Sequence, residues 1–291
     1  MKKVLFATTA LVATASVAAA EISFSGYGRF GVIYNDTAAG DSTDVTSRLR
    51  LQIDVSAESD AGVTFGARTR MQTSEGEGDT GFNGVRFFAR SGGFEVGVGN
   101  IFGAIEFMPG MYPIDLGLTG LGYDYTAYGT GGADAYSSGG AGSSGANGVE
   151  VLYSVGDFSA HVSASETNDR IAAHAAYTFS SWTVALGIQD SDDAGDTEFA
   201  ASVGGSFGIA DVTLAYADNG TNGDHIVLTG RVDVGAATNI EAYVADADAF
   251  AETSYGIDFN HDMGGGTTLR GGIASLGDDS TRADLGVRFN F

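Results

Sequence analysis

The stretch "ADLGVRFNF" alternates strictly in character: Ala283, Leu285, Val287, Phe289 and Phe291 fall on one side of an extended chain, and Asp284, Gly286, Arg288 and Asn290 on the other. A period of two is that of a strand with one apolar and one wet face. The same pattern fills most of the chain. In "SRLRLQIDV", Arg48, Arg50, Gln52 and Asp54 alternate with Leu49, Leu51, Ile53 and Val55; in "VTFGARTRM", Arg68 and Arg70 face away from Val63, Phe65, Ala67, Thr69 and Met71. Adding "SFSGYGRFGVIY", "VRFFAR", "IAAHAAYTF", "HIVLTGRV" and their like, the pattern predicts about sixteen strands. No long stretch carries the 3.6-residue apolar period of a helix.

The connections between these strands fall into two alternating classes. One set is long and acidic: "NDTAAGDSTD", "TSEGEGDTG", the segment from Asn100 to Gly148, "SETNDR", "DSDDAGDT", "ADNGTNGD", "ADADAFAET" and "LGDDST". The other is mostly short, as in "ESDAG", "SGG", "GD", "SS" and "GIA". Long loops at one end and short turns at the other predict an all-β fold, a closed antiparallel transmembrane β-barrel. A soluble sandwich also alternates, so the contents of the faces decide. The polar faces carry Arg, Gln, Asp, Glu and His, the apolar faces Val, Leu, Ile, Ala and Phe with almost no charge, which suits water inside and lipid outside. Only closure leaves no unpaired backbone in lipid, so the last strand is expected to pair with the first. Aromatic pairs expected near the short turns (Tyr153 and Phe158, Phe179 and Trp182, Tyr255 and Phe259) suit an interfacial girdle.

Composition sharpens this picture. Two prolines, Pro109 and Pro113, sit close together, and the rest of the chain is free of a residue that would delete ladder hydrogen bonds. The N-terminal "MKKVLFATTALVATASVAAA" has a basic start, an apolar middle and small residues at Ala18 and Ala20, and reads as a signal peptide over residues 1–20, with one barrel domain over 21–291. A membrane anchor is the alternative reading of that segment. Without it the chain holds no lysine, and twelve arginines against 37 carboxylates leave a net charge of −25. Nucleic acid is not an expected partner of so acidic a chain. With no cysteine, disulfide and thiolate chemistry are excluded.

The ordered set "EISFSGYGRFGVIYND", "SRLRLQIDVSAESDAGVTFGA", "GGGTTLRGGIA" and "ADLGVRFNF" resembles the Gram-negative general diffusion porins, nearest the alphaproteobacterial branch, with gaps over the whole chain after the leader. That resemblance implies sixteen strands, a homotrimer in the outer membrane, and a terminal Phe291 that the barrel-assembly machinery reads. It also implies that the long segment, residues 100–148, folds inward as a constriction loop. On length alone such a loop needs a function to be credible, and a loose external loop is the alternative.

The resemblance further implies wall arginines opposed to loop carboxylates. Arg29, Arg48, Arg50, Arg68, Arg70, Arg86 and Arg90 fall on polar faces of the first strands, and Glu106, Asp115, Asp124 and Asp134 lie in the long loop. Glu106 and Asp115 are the stronger candidates. The arrangement would set a field across a water-filled eyelet that passes ions and small hydrophilic solutes. The acid excess predicts a mild cation preference.

Other signals are weaker. Asp190, Asp192, Asp193 and Asp196 could bind calcium or magnesium that bridges lipopolysaccharide, a solvated acidic surface being the alternative; no other cofactor is expected. "GYGRFG" lacks the strand-to-helix context of a dinucleotide site, and its glycines are expected to be lumen or close-packing positions. His161 and His174, with Ser163 and Asp157 nearby, raise a barrel hydrolase; a zinc site from these histidines with His225 or His261 lacks any ligand pair of helix or knuckle spacing. A substrate-selective channel and a purely structural barrel complete the alternatives.

Overall fold

The computed structural model describes residues 20–76, 81–129, 132–138, 145–192 and 195–291. The signal-peptide reading therefore lies outside the described residues, save Ala20. The strands are β1 Glu21–Thr37, β2 Gly40–Glu58, β3 Thr64–Ser74, β4 Gly81–Phe82, β5 Arg86–Ser91, β6 Phe94–Asn100, β7 Asn147–Val155 and β8 Phe158–Ser165. They continue as β9 Ile171–Phe179, β10 Trp182–Asp190, β11 Glu198–Phe207, β12 Ala210–Asp218, β13 Asp224–Asp233, β14 Thr238–Ala247, β15 Ser254–Gly264, β16 Thr267–Ser275 and β17 Thr281–Asn290. Apart from β4, each pairs antiparallel with the strand before and the strand after it, β3 with β5 included, and β17 pairs with β1, so the sheet closes. Sixteen strands form the ring. The two-residue β4 stands outside it, paired to Met71 and Gln72 of β3 beyond the end of β5.

Closure runs to the final residue. Arg29 is opposite Arg288 and Tyr27 opposite Asn290, and Phe291 and Gly26 exchange both backbone hydrogen bonds, at 2.9 and 3.1 Å. Gly26 and Gly28, from "GYGRFG", face outward, not into the lumen. The ring of Phe289 lies so close over Gly28 that a β-carbon there would stand 2.3 Å from it. Glycine thus makes room for the aromatic that seals the seam.

The apolar faces are outside. Ile22, Phe24, Phe30 and Val32 of β1, Leu186 and Ile188 of β10, and Ile257 and Ile273 of β15 and β16 are exposed on a wall that would meet lipid. Phe179 and Trp182 are directly paired beside a short turn, and Phe158 is opposite Tyr177 near the same end. Tyr255 departs from the expected girdle. It follows the long connection after β14, so it belongs to the opposite rim.

One connection is misjudged by composition. "NDTAAGDSTD" reads as a long loop, yet β1 and β2 run through it and leave only Ala38 and Ala39 as the turn. Its polar residues fill a hairpin that outruns the roughly 9–11 residues a tilted strand needs to cross lipid.

The packed core sits in the lumen. The segment after β6 turns back into the barrel, and its Ile105, Met108, Met111, Leu116, Leu121 and Tyr125 are buried against the inner wall. That wall is small-residued: Ala172, Ala176, Ala185, Ala200, Ala215, Ala217 and Ala245, with Val227, Tyr243, Ala274 and Leu276. Each large side chain so buried contributes roughly 1.5–3 kcal/mol. Leu118 packs over Gly31 and Gly286, which face each other across β1 and β17; a β-carbon at either would come within 2.8 or 2.6 Å of it.

Candidate functional site

The loop is tied down first at its root. Glu150 of β7 accepts hydrogen bonds from the Arg86 guanidinium and from the Phe102 amide at 3.0 Å, and its other contact is His161 Nε2 at 2.8 Å. Arg86 also pairs with Glu95 at 2.6 Å and lies 3.9 Å over the Phe102 ring. The Ala104 amide donates to Ser163 at 2.9 Å, and its carbonyl meets His174 Nδ1 at 2.6 Å. A buried charge needs such partners to be tolerable.

A second set of wall carboxylates holds the loop where it turns. Asp284 of β17 accepts from the amides of Leu118 and Thr119, at 2.9 and 2.8 Å, and from the Thr119 hydroxyl at 2.7 Å. Asp258 of β15 accepts from the Gly117 amide at 2.6 Å and from the Glu241 amide of its neighbouring strand at 3.1 Å. The Asp115 amide donates to Glu241 at 3.4 Å. These carboxylates satisfy backbone donors of an irregular segment that has no ladder of its own. Gly117 takes φ +64 beside Asp284, where a β-carbon would stand 2.5 Å from the carboxylate.

The wall opposite to the packed face carries the arginines. Arg29, Arg48, Arg50, Arg68, Arg70, Arg86 and Arg90 all point inward, as the alternation predicts, from β1, β2, β3 and β5. Several donate to neutral groups: Arg29 to the Leu118 carbonyl at 2.7 Å, Arg48 to Ser74 at 3.1 Å, Arg50 to Gln72 at 2.8 Å and Arg70 to Gln52 at 2.7 Å. Arg68 is paired with Asp54 at 2.6 Å. Rings cushion others: Arg50 lies over Tyr27, Arg70 over Tyr136 and Arg90 over Phe88.

The loop acids separate into distinct roles. Asp115 is exposed and is gripped by Arg270 at 2.8 Å and Arg288 at 2.9 Å, two arginines of β16 and β17 that the sequence reading did not single out. Arg288 also lies 4.2 Å over Tyr27, so the arginine row continues from β17 through β1 to β5. Glu106 accepts from the hydroxyls of Tyr128 and Tyr112. Burial pushes its carboxyl above the ordinary carboxylate range, and the two hydroxyls offset only part of that. Asp124 is not brought to the arginine row. It accepts from the Gly277 amide at 2.9 Å, in the connection between β16 and β17, while its carbonyl meets His225 at 3.1 Å. Asp134 is buried with Arg170 at 3.1 Å. Within residues 101–128 the exposed side chains are Phe107, Tyr112, Asp115 and Tyr123, so that stretch offers the lumen an aromatic face with one acid.

The histidines do not assemble a hydrolase. His161 and His174 touch edge to face at 5.5 Å, but their polar contacts are Glu150 and a loop carbonyl, and Ser163 is occupied by the Ala104 amide. His225 and His261 lie on β13 and β15 with separate partners, Asp124 and Thr238. Among the described residues no three histidines or carboxylates gather as metal ligands. Asp190, Asp192 and Asp196 lie at the loop end of β10 and in the connection after it; Asp193 lies outside the described residues.

Comparison with known proteins agrees with this architecture. A family profile described as Gram-negative porin matches residues 7–281. A porin of Fuscovulum blasticum is 36% identical over 310 residues, and one of Rhodobacter capsulatus 32% identical over 317; each alignment covers 93% of this chain and 100% of the relative. A solved mutant of Rh. blastica porin superposes with a TM-score of 0.84 at 31% identity, over 93% of this chain and 100% of the other.

Proposed function

The chain belongs to the Gram-negative porin family and is an outer-membrane channel rather than an enzyme, and on that premise we propose that it conducts ions and small hydrophilic solutes passively through a water-filled eyelet. The observation that carries this reading is the lumen's division between a loop packed on one arc and, on the other, an arginine row in which Arg48, Arg50, Arg68 and Arg70 are half-buried and Arg90 exposed, while Arg29 and Arg86 are buried. The long segment, residues 100–148, acts as the constriction, and Asp115 and Glu106 supply its negative side. Water crossing that field is ordered, so apolar solutes are disfavoured and compact polar ones pass.

A mild cation preference follows from the net charge of −25, which concentrates cations at the acidic rim. The arginine row works against it, so the preference is greatest at low salt, where the rim is least screened. The functional unit is a homotrimer exported by the leader over residues 1–20, with Phe291 marking the barrel for assembly and outer-membrane lipid and lipopolysaccharide around it. Calcium or magnesium at the outer acids is the one cation role this reading leaves room for.

Single-channel current in a planar bilayer, with reversal potential under a salt gradient, tests the reading. Ohmic steps in threes with a cation-leaning potential are expected. A folded barrel that passes no current, or solute-specific current alone, would overturn it in favour of a plugged barrel or a substrate-selective channel.

A further inference from the structure

At the turn end, below the loop root, the lumen wall opens into a cavity of about 600 Å³. That is within the size range of sites for small molecules. Its floor is made by the turns at Gly62 and residues 91–93, and its walls include Thr64, Arg90, Phe107, Pro109, Leu152 and His161.

The charges around this cavity are unequally satisfied. Glu95 is directly opposite Arg90 across β5 and β6, the position from which it would normally pair with it. Its carboxylate is instead held by Arg86 at 2.6 Å. His161 is taken by Glu150, and His174 by the Ala104 carbonyl. Arg90 is exposed, rests over the Phe88 ring at 4.7 Å, and pairs with no carboxylate among the described residues. Phe107 lines the same cavity; one face of its ring packs on Phe102 at 4.4 Å, and 46% of its surface stays exposed. One guanidinium without a carboxylate partner and one exposed ring line the same half-open space.

We propose that this cavity is a subsite for small aromatic carboxylates, which bind with the carboxylate on Arg90 and the ring against Phe107 and Leu152. Guanidinium and carboxylate match as a two-bonded pair. An aromatic body adds contact with Phe107 that a short aliphatic acid lacks. The proposal rests on the channel reading for its access route: a solute that has passed the constriction meets the subsite before leaving at the turn end. Solutes of this class are retarded there, so the channel carries them with saturation while it carries acetate without.

Benzoate, acetate and benzyl alcohol, each added to the same bilayer-reconstituted protein, test this through their block of potassium chloride current. Benzoate is expected to block at millimolar concentration and about tenfold more strongly than either of the others, from lost charge pairing or lost ring contact. Arg90→Gln and Phe107→Ala are each expected to weaken the benzoate block about tenfold. Equal block by acetate and benzoate, or a benzoate block that neither substitution weakens, would overturn the proposal. Binding of benzoate to the detergent-purified protein, followed by saturation-transfer NMR, separates this site from the channel reading. Protein that conducts but gives no benzoate signal refutes the subsite alone; protein that binds benzoate through Arg90 but conducts nothing refutes the channel alone.

Discussion

The two arcs of the lumen wall obey opposite rules. From β9 through β16 the inward positions that meet the loop's apolar face are mostly alanine, with polar side chains such as Ser202, Glu241 and Asp258 between them bonded to the loop, and the loop lies directly on this wall. From β17 through β1 to β5 the inward positions include the arginine row, with amide, hydroxyl and ring partners, and the loop meets those arginines at single points, through Leu118, Asp115, Ser138 and the rings of Phe102 and Tyr136. Small residues permit close packing because no side chain stands between backbone and loop. Long charged ones need water, and so hold the rest of the chain away. The pore is therefore placed where packing is refused, and its width depends on the loop remaining on the other arc.

Removing the loop's wall carboxylates is the strongest way to break that contrast. Asp258→Ala with Asp284→Ala deletes four bonds to loop donors. Hydrogen bonds to a charged group contribute roughly 1.5–3 kcal/mol each. Single-channel recordings are expected to lose their one conductance level and to fluctuate among several. A steady wild-type level in the double variant would mean that apolar packing alone seats the loop.

Next in size is a change of volume on the packed arc. Ala215, 1% exposed beneath the loop, has no room for a ring, and Ala215→Phe is expected to cost about 1–3 kcal/mol and to narrow the channel by lifting the loop. Ala201 is on the same pair of strands but faces outward beside Phe199, so Ala201→Phe is the control and should leave conductance as it was. Thermal unfolding in detergent reads the first effect and conductance the second. Identical behaviour of the two variants would contradict the assignment of faces.

A smaller shift is expected on the arginine arc. Arg48→Gln with Arg50→Gln removes two positive charges whose donors already serve neutral partners, so the fold is expected to hold. The cation-to-anion permeability ratio should rise roughly twofold to fourfold at low salt and less at high salt. An unchanged reversal potential would place the selectivity at the acidic rim instead.

The difference between the arcs also explains what was legible in the chain. Strand alternation is a local property, so the inward placement of Arg48, Arg50, Arg68 and Arg70 could be read from four or five residues at a time. Arg270 and Arg288 obey the same alternation, and closure of β17 on β1 brings Arg288 opposite Arg29; the signal was available, but it required two inferences in series. Asp124 was misjudged because residence in the loop was taken as sufficient, whereas its carboxylate is engaged by the Gly277 amide 153 residues away. The clamp by Glu241, Asp258 and Asp284 had no local signature at all. Carboxylates on a wet face look alike whether they meet water or a loop, and only the three-dimensional path of residues 115–119 tells them apart.

The smallest expected effect concerns Glu106, where burial and hydrogen bonding pull in opposite directions. Burial raises its carboxyl above the ordinary range, so as pH falls it takes up its proton while carboxylates of ordinary strength are still charged. The sign for stability follows: a carboxyl whose folded value is raised disfavours the folded state when charged, so its cost is absent at low pH and appears as pH rises through the interval between the unfolded and folded values. For conduction, protonation removes a negative charge from the loop face while the arginine row keeps its own. The reversal potential should therefore drift toward anions just above the ordinary carboxylate range. Glu106→Gln, which can still accept from Tyr128 and Tyr112, should lack that drift and behave at neutral pH as the native channel does after it. If the native and Glu106→Gln channels titrate alike, the negative side of the eyelet is Asp115 alone, bound between Arg270 and Arg288, and the loop's acid nearest the packed arc contributes seating rather than selectivity.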